Sequence, residues 1–211
     1  MTNASGEVVL VFGASGRTGR LVVEESLEGG HEVLAFVRNE SRLGLSNPRL
    51  DVLVGDVTVA SDVDAAVQKA GVVVSALGQA PNSPREICSL AARNIVGSMT
   101  RHGVKRLICL SDYGNGDTRT KGLYARFLWV LIREHLEDKE KMEEAIRSSG
   151  LDWTIVRPTI LTDGPRTGAY KVGPDIRIGL VPKVSRRDVA DFMVKQITDR
   201  SFVGASPSIS R

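Results

Sequence analysis

The sequence feature that most constrains the fold is a glycine-rich turn between an apolar segment and a helical one. Residues 7–12 form a β-branched run, residues 13–19 read Gly-Ala-Ser-Gly-Arg-Thr-Gly, and residues 17–28 carry a helical pattern that two glycines end. A strand, a glycine turn and a helix in this order predict the first unit of a parallel α/β sheet.

Further apolar strands follow, each separated from the next by a helical or polar stretch. The predicted strands cover residues 32–37, 50–54, 71–75, 106–110 and 153–156. Short, continuous apolar strands that alternate with helices are typical of a parallel sheet covered on both faces. We therefore predict an α/β fold: a single doubly wound Rossmann domain over residues 1–211, with a mainly parallel sheet and helices on both faces.

Capping residues predict where three of the helices begin. Ser61 and Ser185 each precede an aspartate by three residues, which fits a capping box. Ser83 is followed by a proline, a combination typical of an N-cap and the first helical position. These signals predict helices that begin at residues 61, 83 and 185.

The glycine turn is the first candidate binding site, because ligands of such sheets bind beyond the carboxyl ends of the strands. Gly13 permits the tight turn, Gly16 lets backbone N–H groups approach a pyrophosphate, and Gly19 lets the helix pack closely. The helix N-terminus adds partial positive charge. We expect a dinucleotide to be bound here by Gly13, Ser15, Gly16, Arg17, Thr18 and Gly19.

The end of the second strand indicates which dinucleotide is bound. NAD-binding proteins usually place an acidic residue there, about 20 residues past the glycines, to hold the ribose 2′-OH. This chain has Arg38 at that place, and Arg42 follows it. Arginine can bind a 2′-phosphate bidentately, so the sequence favours NADP(H) as the cofactor. The alternative is that both arginines are solvated surface charges.

Two short segments after the third and fourth strands are predicted to line the rest of the cofactor path. Asp56 is placed to accept a hydrogen bond from the adenine amino group, and Val57 to pack against the ring. Leu77 and Gly78 follow the next strand and would lie along the cofactor. The alternative for Asp56 is that it caps a turn. The alternative for Gly78 is that it serves only as a turn residue without a cofactor contact.

The usual catalytic dyad of short-chain dehydrogenases is absent from the sequence. That dyad is a tyrosine with a lysine four residues on, and neither Tyr113, Tyr124 nor Tyr170 has one. Ser111, directly after the fifth strand, could bind the nicotinamide amide or a substrate oxygen. Lys139, on a long helix, could approach the nicotinamide ribose. The alternatives are a strand-end cap for Ser111 and a solvated helix residue for Lys139.

Several segments together resemble the biliverdin-IXβ reductase/flavin reductase family, which belongs to the atypical short-chain dehydrogenases related to the NmrA-like group. The matching segments are residues 11–19, 37–38 with 41–43, 55–57, 92–96, 102–104, 149–151 and 167–170. The segment 153–158, Trp-Thr-Ile-Val-Arg-Pro, is shared more widely among atypical members. The resemblance covers nearly the whole chain.

The resemblance implies an NADPH-dependent reductase that transfers a hydride to a flavin or another aromatic or quinonoid small molecule. The family's active-site serine falls on Ser111, its histidine after the sixth strand falls on Thr159, and its helix histidine is replaced by Lys139. The resemblance therefore places Ser111, Lys139 and Thr159 at the catalytic end, with Pro158 and Ser111 against the cofactor. Thr159 leaves that position without a histidine proton donor.

Composition and charge argue against other classes of protein. The net charge of +3 is scattered, so nothing favours a nucleic-acid partner. The three histidines are apart in sequence, which predicts no metal site. Neither a secretory signal nor a membrane-spanning apolar run is present, so we expect a cytoplasmic protein without a membrane partner, a monomer or weak homodimer.

Two other functions remain open from the sequence. The missing dyad also fits an NADP(H)-binding redox sensor that signals to partners without turnover. A reductase or isomerase of an unidentified metabolite would use Ser111 and Lys139.

Overall fold

The structure is a computed structural model that describes residues 6–79, 83–119, 132–174, 176 and 182–211. Its strands are β1 (Val8–Phe12), β2 (Glu32–Val37), β3 (Leu50–Val54), β4 (Val72–Ser75), β5 (Arg106–Leu110), β6 (Asp152–Pro158), β7 (Ile160–Thr162), β8 (Lys171–Gly173), β9 (Lys183–Ser185) and β10 (Ser208–Ser210). Its helices are α1 (Arg17–Glu28), α2 (Ala60–Val67), α3 (Ile87–His102), α4 (Arg133–Arg147) and α5 (Arg186–Lys195).

Eight strands form one sheet in the order β3-β2-β1-β4-β5-β6-β10-β8. Every pairing in it is parallel except that of β8 with β10. The predicted doubly wound, mainly parallel sheet is thus confirmed. A small parallel pair of β7 and β9, three residues each, was not predicted, because such short strands leave no periodic pattern in the sequence.

The sheet is covered on both faces, because its strand residues alternate between two apolar clusters. In β1, Val9 and Val11 pack with α1 and α5 on one face, while Leu10 and Phe12 pack with α2, α3 and α4 on the other. All four side chains are fully buried. A strand buried on both faces reads as a continuous apolar run, which is why β1 was recognisable in the sequence.

The strand order creates a crevice at the carboxyl end of β1. From β1 the chain goes to β2 and β3 on one side, and then to β4, β5 and β6 on the other. Helices on opposite sides of β1 therefore diverge at this edge, which is where doubly wound sheets bind their ligands. No helix in the described parts of the chain combines the length and apolar character that crossing a bilayer requires.

One of the three predicted helix starts is confirmed. The Ser185 hydroxyl accepts the N–H of Asp188 at 3.0 Å and caps α5. The start at residue 61 is wrong: α2 begins at Ala60 without a side-chain cap, and Asp64 binds Ser98 and Arg101 of α3 instead.

The start at residue 83 is also wrong, and the reason lies in the tertiary structure. Helix α3 begins at Ile87. Its first N–H groups, those of Cys88 and Ser89, donate to the buried carboxylate of Asp138 at 2.9 and 3.0 Å. The cap comes from α4, 50 residues away from Cys88, so no local signal could reveal it.

Candidate functional site

The glycine turn has the geometry that a close cofactor contact requires. Gly13 has a φ of +75°, a conformation that favours glycine, and a Cβ there would lie 2.9 Å from the Ala76 carbonyl oxygen. The Gly16 N–H donates to the Gly13 carbonyl at 2.9 Å and closes the turn. A Cβ at Gly19 would overlap that same carbonyl oxygen, so α1 packs against the turn without space for a side chain.

The N-terminus of α1 leaves its backbone donors unoccupied. The N-cap residue of α1 is Gly16, so among the described residues no side chain caps the helix, and its first turn contains no acidic residue. The N–H groups of a first helical turn have no partner within the helix, and they attract anions. Thr18 is buried in this turn and Ser15 is exposed. Arg17 is exposed and forms an ion pair with Asp163, which follows β7.

A cavity of about 350 Å³ opens from the glycine turn across the carboxyl ends of β1, β2 and β4. It is lined by Gly13, Ser15, Gly16, Phe36, Val37, Arg38, Arg42, Gly55, Asp56, Val57, Thr58, Ala76, Leu77, Gly78, Ser83, Pro84 and Ile87. The structure thus brings together nine of the predicted cofactor residues. The sequence analysis missed Phe36, Thr58 and Ile87, although each lies beside a predicted strand end or helix start.

The arginines and Asp56 lie together in the part of this cavity that is formed by the ends of β2 and β3. Arg38 and Arg42 are exposed and form part of its wall. Asp56 accepts the Thr58 N–H and hydroxyl, both at 2.8 Å, so it does cap a turn. These two hydrogen bonds, together with the positive charge of Arg38, lower the pKa of Asp56 below its ordinary value. Val57 is buried, and its carbonyl accepts the Asn94 amide at 2.9 Å.

Lys139 is buried at the carboxyl ends of β4 and β5. Its side-chain nitrogen donates to the carbonyl oxygens of Leu77 and Leu110, each at 2.8 Å, and the residue is only 2% exposed. Burial by itself lowers the pKa of this ammonium, but nearby groups, Cys88 and Asp112 first among them, outweigh burial and raise it. The alternative of a solvated helix lysine is therefore wrong.

Ser111 belongs to a buried network of charges that the sequence did not predict. Its hydroxyl donates to Glu143 at 2.5 Å, and Glu143 is fully buried. The guanidinium of Arg157, also fully buried, binds both oxygens of Glu143 and reaches Asp117 in the loop after β5. The Ser111 proton is directed to Glu143 and the Asn115 amide donates to the Ser111 oxygen at 3.5 Å, so the hydroxyl has one lone pair left for a ligand.

Thr159 and Pro158 connect β6 to its neighbours. The Thr159 hydroxyl lies 3.1 Å from that of Ser210 in β10, and the threonine is buried. The Pro158 carbonyl accepts the N–H of Tyr113 at 2.9 Å. Neither residue lines the cavity. Both residues thus contribute to the packing of β6, and their expected catalytic and cofactor contacts stay predictions.

His135 and Asp112 form a pair that the sequence analysis also missed. The His135 Nε2 lies 3.0 Å from a carboxylate oxygen of Asp112, which follows Ser111 in the chain. The two residues are 23 positions apart, so no motif joins them.

Comparison with known proteins identifies the family of this chain. Residues 13–200 match the model of the NAD(P)H-binding family. An uncharacterized chloroplastic protein of Arabidopsis thaliana is 30% identical over 200 residues, which cover 90% of this chain and 71% of that protein. The chain spans a smaller part, 41% and 33%, of two longer curated relatives.

Two solved structures share the fold over nearly the whole length. The anaerobillin reductase ChuY of Escherichia coli O157:H7 superposes with a TM-score of 0.79, is 25% identical, and is matched over 96% of both chains. The oxidoreductase ylbE of Lactococcus lactis superposes with a TM-score of 0.83 at 17% identity, over 96% of this chain and 90% of that one.

A match to an NAD(P)H-binding family agrees with three features of the structure: the cavity, the uncapped N-terminus of α1 and the glycine turn. The comparisons also confirm the resemblance to the atypical short-chain dehydrogenases, and they confirm the cofactor at the level of NAD(P)(H). This chain is a member of the NAD(P)H-binding family.

Proposed function

We propose that the protein is an NADPH-dependent reductase that transfers a hydride to a flavin-like or other aromatic or quinonoid acceptor. The observation that carries the proposal is the pair Arg38 and Arg42 in the wall of the cavity, at the end of β2. A 2′-phosphate at that end would meet two guanidinium groups, whereas the ribose 2′-OH of NAD is normally held by a carboxylate.

The residues present fit the cofactor. The first turn of α1 offers backbone donors to the pyrophosphate, and Val57 and Ile87 provide apolar surface for the adenine. When bound, the nicotinamide supplies the hydride. Lys139 binds the carbonyl of Leu77, which lines the cavity, and that of Leu110 in β5, and so fixes the backbone at the end of the cavity where the nicotinamide would lie.

The acceptor class follows from what the chain lacks and from its relatives. Without the Tyr-x-x-x-Lys dyad, an isolated ketone would not be protonated in the usual way, whereas a conjugated ring can spread the incoming charge over its own atoms. ChuY, which is described as an anaerobillin reductase, has the same fold at 25% identity. Both points support a reductase of conjugated acceptors.

The test is NADPH oxidation under anaerobic conditions against FMN, riboflavin, a benzoquinone and biliverdin. Saturable oxidation with at least one of them is the expected result, and the preferred compound names the acceptor class. Tight NADPH binding without oxidation of any of the four would contradict the reductase function.

A second candidate is a redox sensor that binds NADP(H) without turnover. The observation in its favour is that Ser111 and Lys139 both direct their donors to protein oxygens. The same assay separates the two functions.

The monomeric or weakly dimeric state and the cytoplasmic location stay predictions. Size-exclusion chromatography with light scattering tests the oligomeric state.

A further inference from the structure

We propose that His135, oriented by Asp112, is the proton donor to the acceptor that receives the hydride. This inference rests on the proposed reductase function. Reduction of a conjugated acceptor by NADPH consumes one hydride and one proton, so a group at the site must deliver the proton or give water a route to it.

The pair has the geometry of an oriented imidazole. Asp112 is the second residue past β5, and His135 lies in the first turn of α4. With Nε2 held at 3.0 Å from the carboxylate, the ring is fixed and Nδ1 is its remaining nitrogen. Among the described residues, nothing else hydrogen-bonds to the His135 ring.

The pair also lies beside the predicted nicotinamide end. His135 stands one helical turn before Lys139, on the same face of α4. Lys139 binds the carbonyl of Leu77, which lines the cavity, and that of Leu110, two residues before Asp112. Neither His135 nor Asp112 lines the cavity itself, but Asp112 follows Leu110 by two residues, and Lys139 joins the Leu110 carbonyl to that of Leu77 in the cavity wall.

Exposure distinguishes His135 from the other candidate groups. The side chains of His135 and Asp112 are 22% and 29% exposed, so the imidazole can recover a proton from water after each turnover. Ser111 and Lys139, at 1% and 2% exposed, have no such route.

The proton transfer balances with one proton from solvent per turnover. As the hydride adds to the acceptor, the N–H bond at Nδ1 breaks and its electron pair stays on the imidazole. The proton goes to a heteroatom of the acceptor. The acceptor then leaves the site as the two-electron reduced product. The oxidised dinucleotide is the other product, and water reprotonates the ring.

The charged surroundings keep Asp112 in its ionised form. Burial raises the pKa of Asp112, but the hydrogen bond from His135 and the ammonium of Lys139 bring it below its ordinary value. Within one helical turn of His135, the described part of α4 carries Arg133, Glu134, Glu137, Asp138 and Lys139. Glu134 pairs with Arg85 from the segment before α3, and Arg133 pairs with Glu137. A carboxylate at Asp112 stabilises the protonated imidazole that the reaction needs.

The chain offers a matched control in a second His–Asp pair. His102, at the end of α3, lies 3.1 Å from Asp64, with 29% and 36% side-chain exposure. It precedes β5, so it lies at the amino edge of the sheet, away from the cavity. A substitution there changes the same chemistry without touching the proposed site.

The experiment compares the pH dependence of kcat/KM for wild type, His135→Asn, Asp112→Asn and His102→Asn, with the acceptor that wild type reduces. We expect His135→Asn to lower kcat by about 10²–10⁴-fold and to abolish the fall in rate at alkaline pH. Asp112→Asn should shift that fall to lower pH, because the protonated imidazole loses its counter-charge. NADPH affinity, measured by fluorescence, and melting temperature should not change in His135→Asn, and His102→Asn should behave as wild type.

A His135→Asn variant with the wild-type rate and pH profile would overturn the assignment and leave the reductase function standing. Absence of NADPH oxidation by wild type would overturn both.

Discussion

The two halves of the carboxyl edge of the sheet use different chemistry. At the ends of β1, β2 and β4, the polar groups are backbone donors of a glycine turn and exposed arginines around an open cavity. At the ends of β5 and β6, they are buried side chains: Ser111, Lys139, Glu143 and Arg157 are each at most 2% exposed. The cofactor half is thus a surface ready for a ligand, whereas the second half is a charged core.

The difference teaches where each half obtains its stability. In the cofactor half, the donors stay solvated until a ligand replaces the water, so they cost the fold little. In the second half, each buried charge must be satisfied inside the protein, and a group left unpaired there is expensive. Substitutions of the exposed arginines should therefore weaken binding, and substitutions of the buried charges should weaken folding.

The largest expected effect is on folding, from Glu143→Gln. The variant removes the buried carboxylate that Arg157 binds with two hydrogen bonds and leaves only that of Asp117, which is 60% exposed, so we expect it to lose about 3–5 kcal/mol of unfolding free energy. Urea denaturation measures this loss. The matched control is Glu137→Gln, which breaks the exposed pair with Arg133 and should leave the unfolding free energy close to that of wild type. Equal losses in both variants would show that the buried network has no special weight.

The next effect is on binding, from Arg38→Ala. Removing a charge-assisted contact to a 2′-phosphate costs about 1.5–3 kcal/mol, or roughly 10–100-fold in NADPH affinity. NADH affinity should hardly change, and Arg20→Ala, an exposed arginine of α1 that pairs with Glu24, should affect neither. Fluorescence titration with both nucleotides gives the comparison. Equal losses for NADPH and NADH would remove the 2′-phosphate role of Arg38.

A methyl group at Gly19 should have a smaller effect on folding than Glu143→Gln, and it also acts on the glycine turn. Because the added Cβ overlaps the Gly13 carbonyl, Gly19→Ala should cost about 1–3 kcal/mol and should weaken NADPH binding by displacing the turn. Gly97→Ala in α3 is the control, because its Cβ would only touch the end of Arg101 at 3.5 Å. It should gain about 0.5–1 kcal/mol. Thermal melting should therefore move in opposite directions in the two variants.

Prediction from the sequence succeeded where the cause of a structure is local. The bounds of α1, β2, β3 and β5 agree with the predicted segments, because apolar runs and glycines specify them. The start of α3 was wrong, because its cap is Asp138 of α4. The role of Ser111 was predicted from its place after β5 and from the family resemblance, and that of Thr159 from the resemblance alone. The structure shows their hydroxyls bonded to Glu143 and Ser210.

The sequence alone determined the α/β alternation, the glycine turn and the position of Arg38, since each depends on neighbouring residues and on backbone geometry. Only the tertiary structure decided the second half of the edge. The contacts there join Ser111 to Glu143 over 32 residues, Arg157 to Asp117 over 40, and Lys139 to Leu77 over 62. Whether a charged side chain of α4 is solvated or buried depends on how that helix packs on the sheet. The pattern of charges along the helix does not predict this packing.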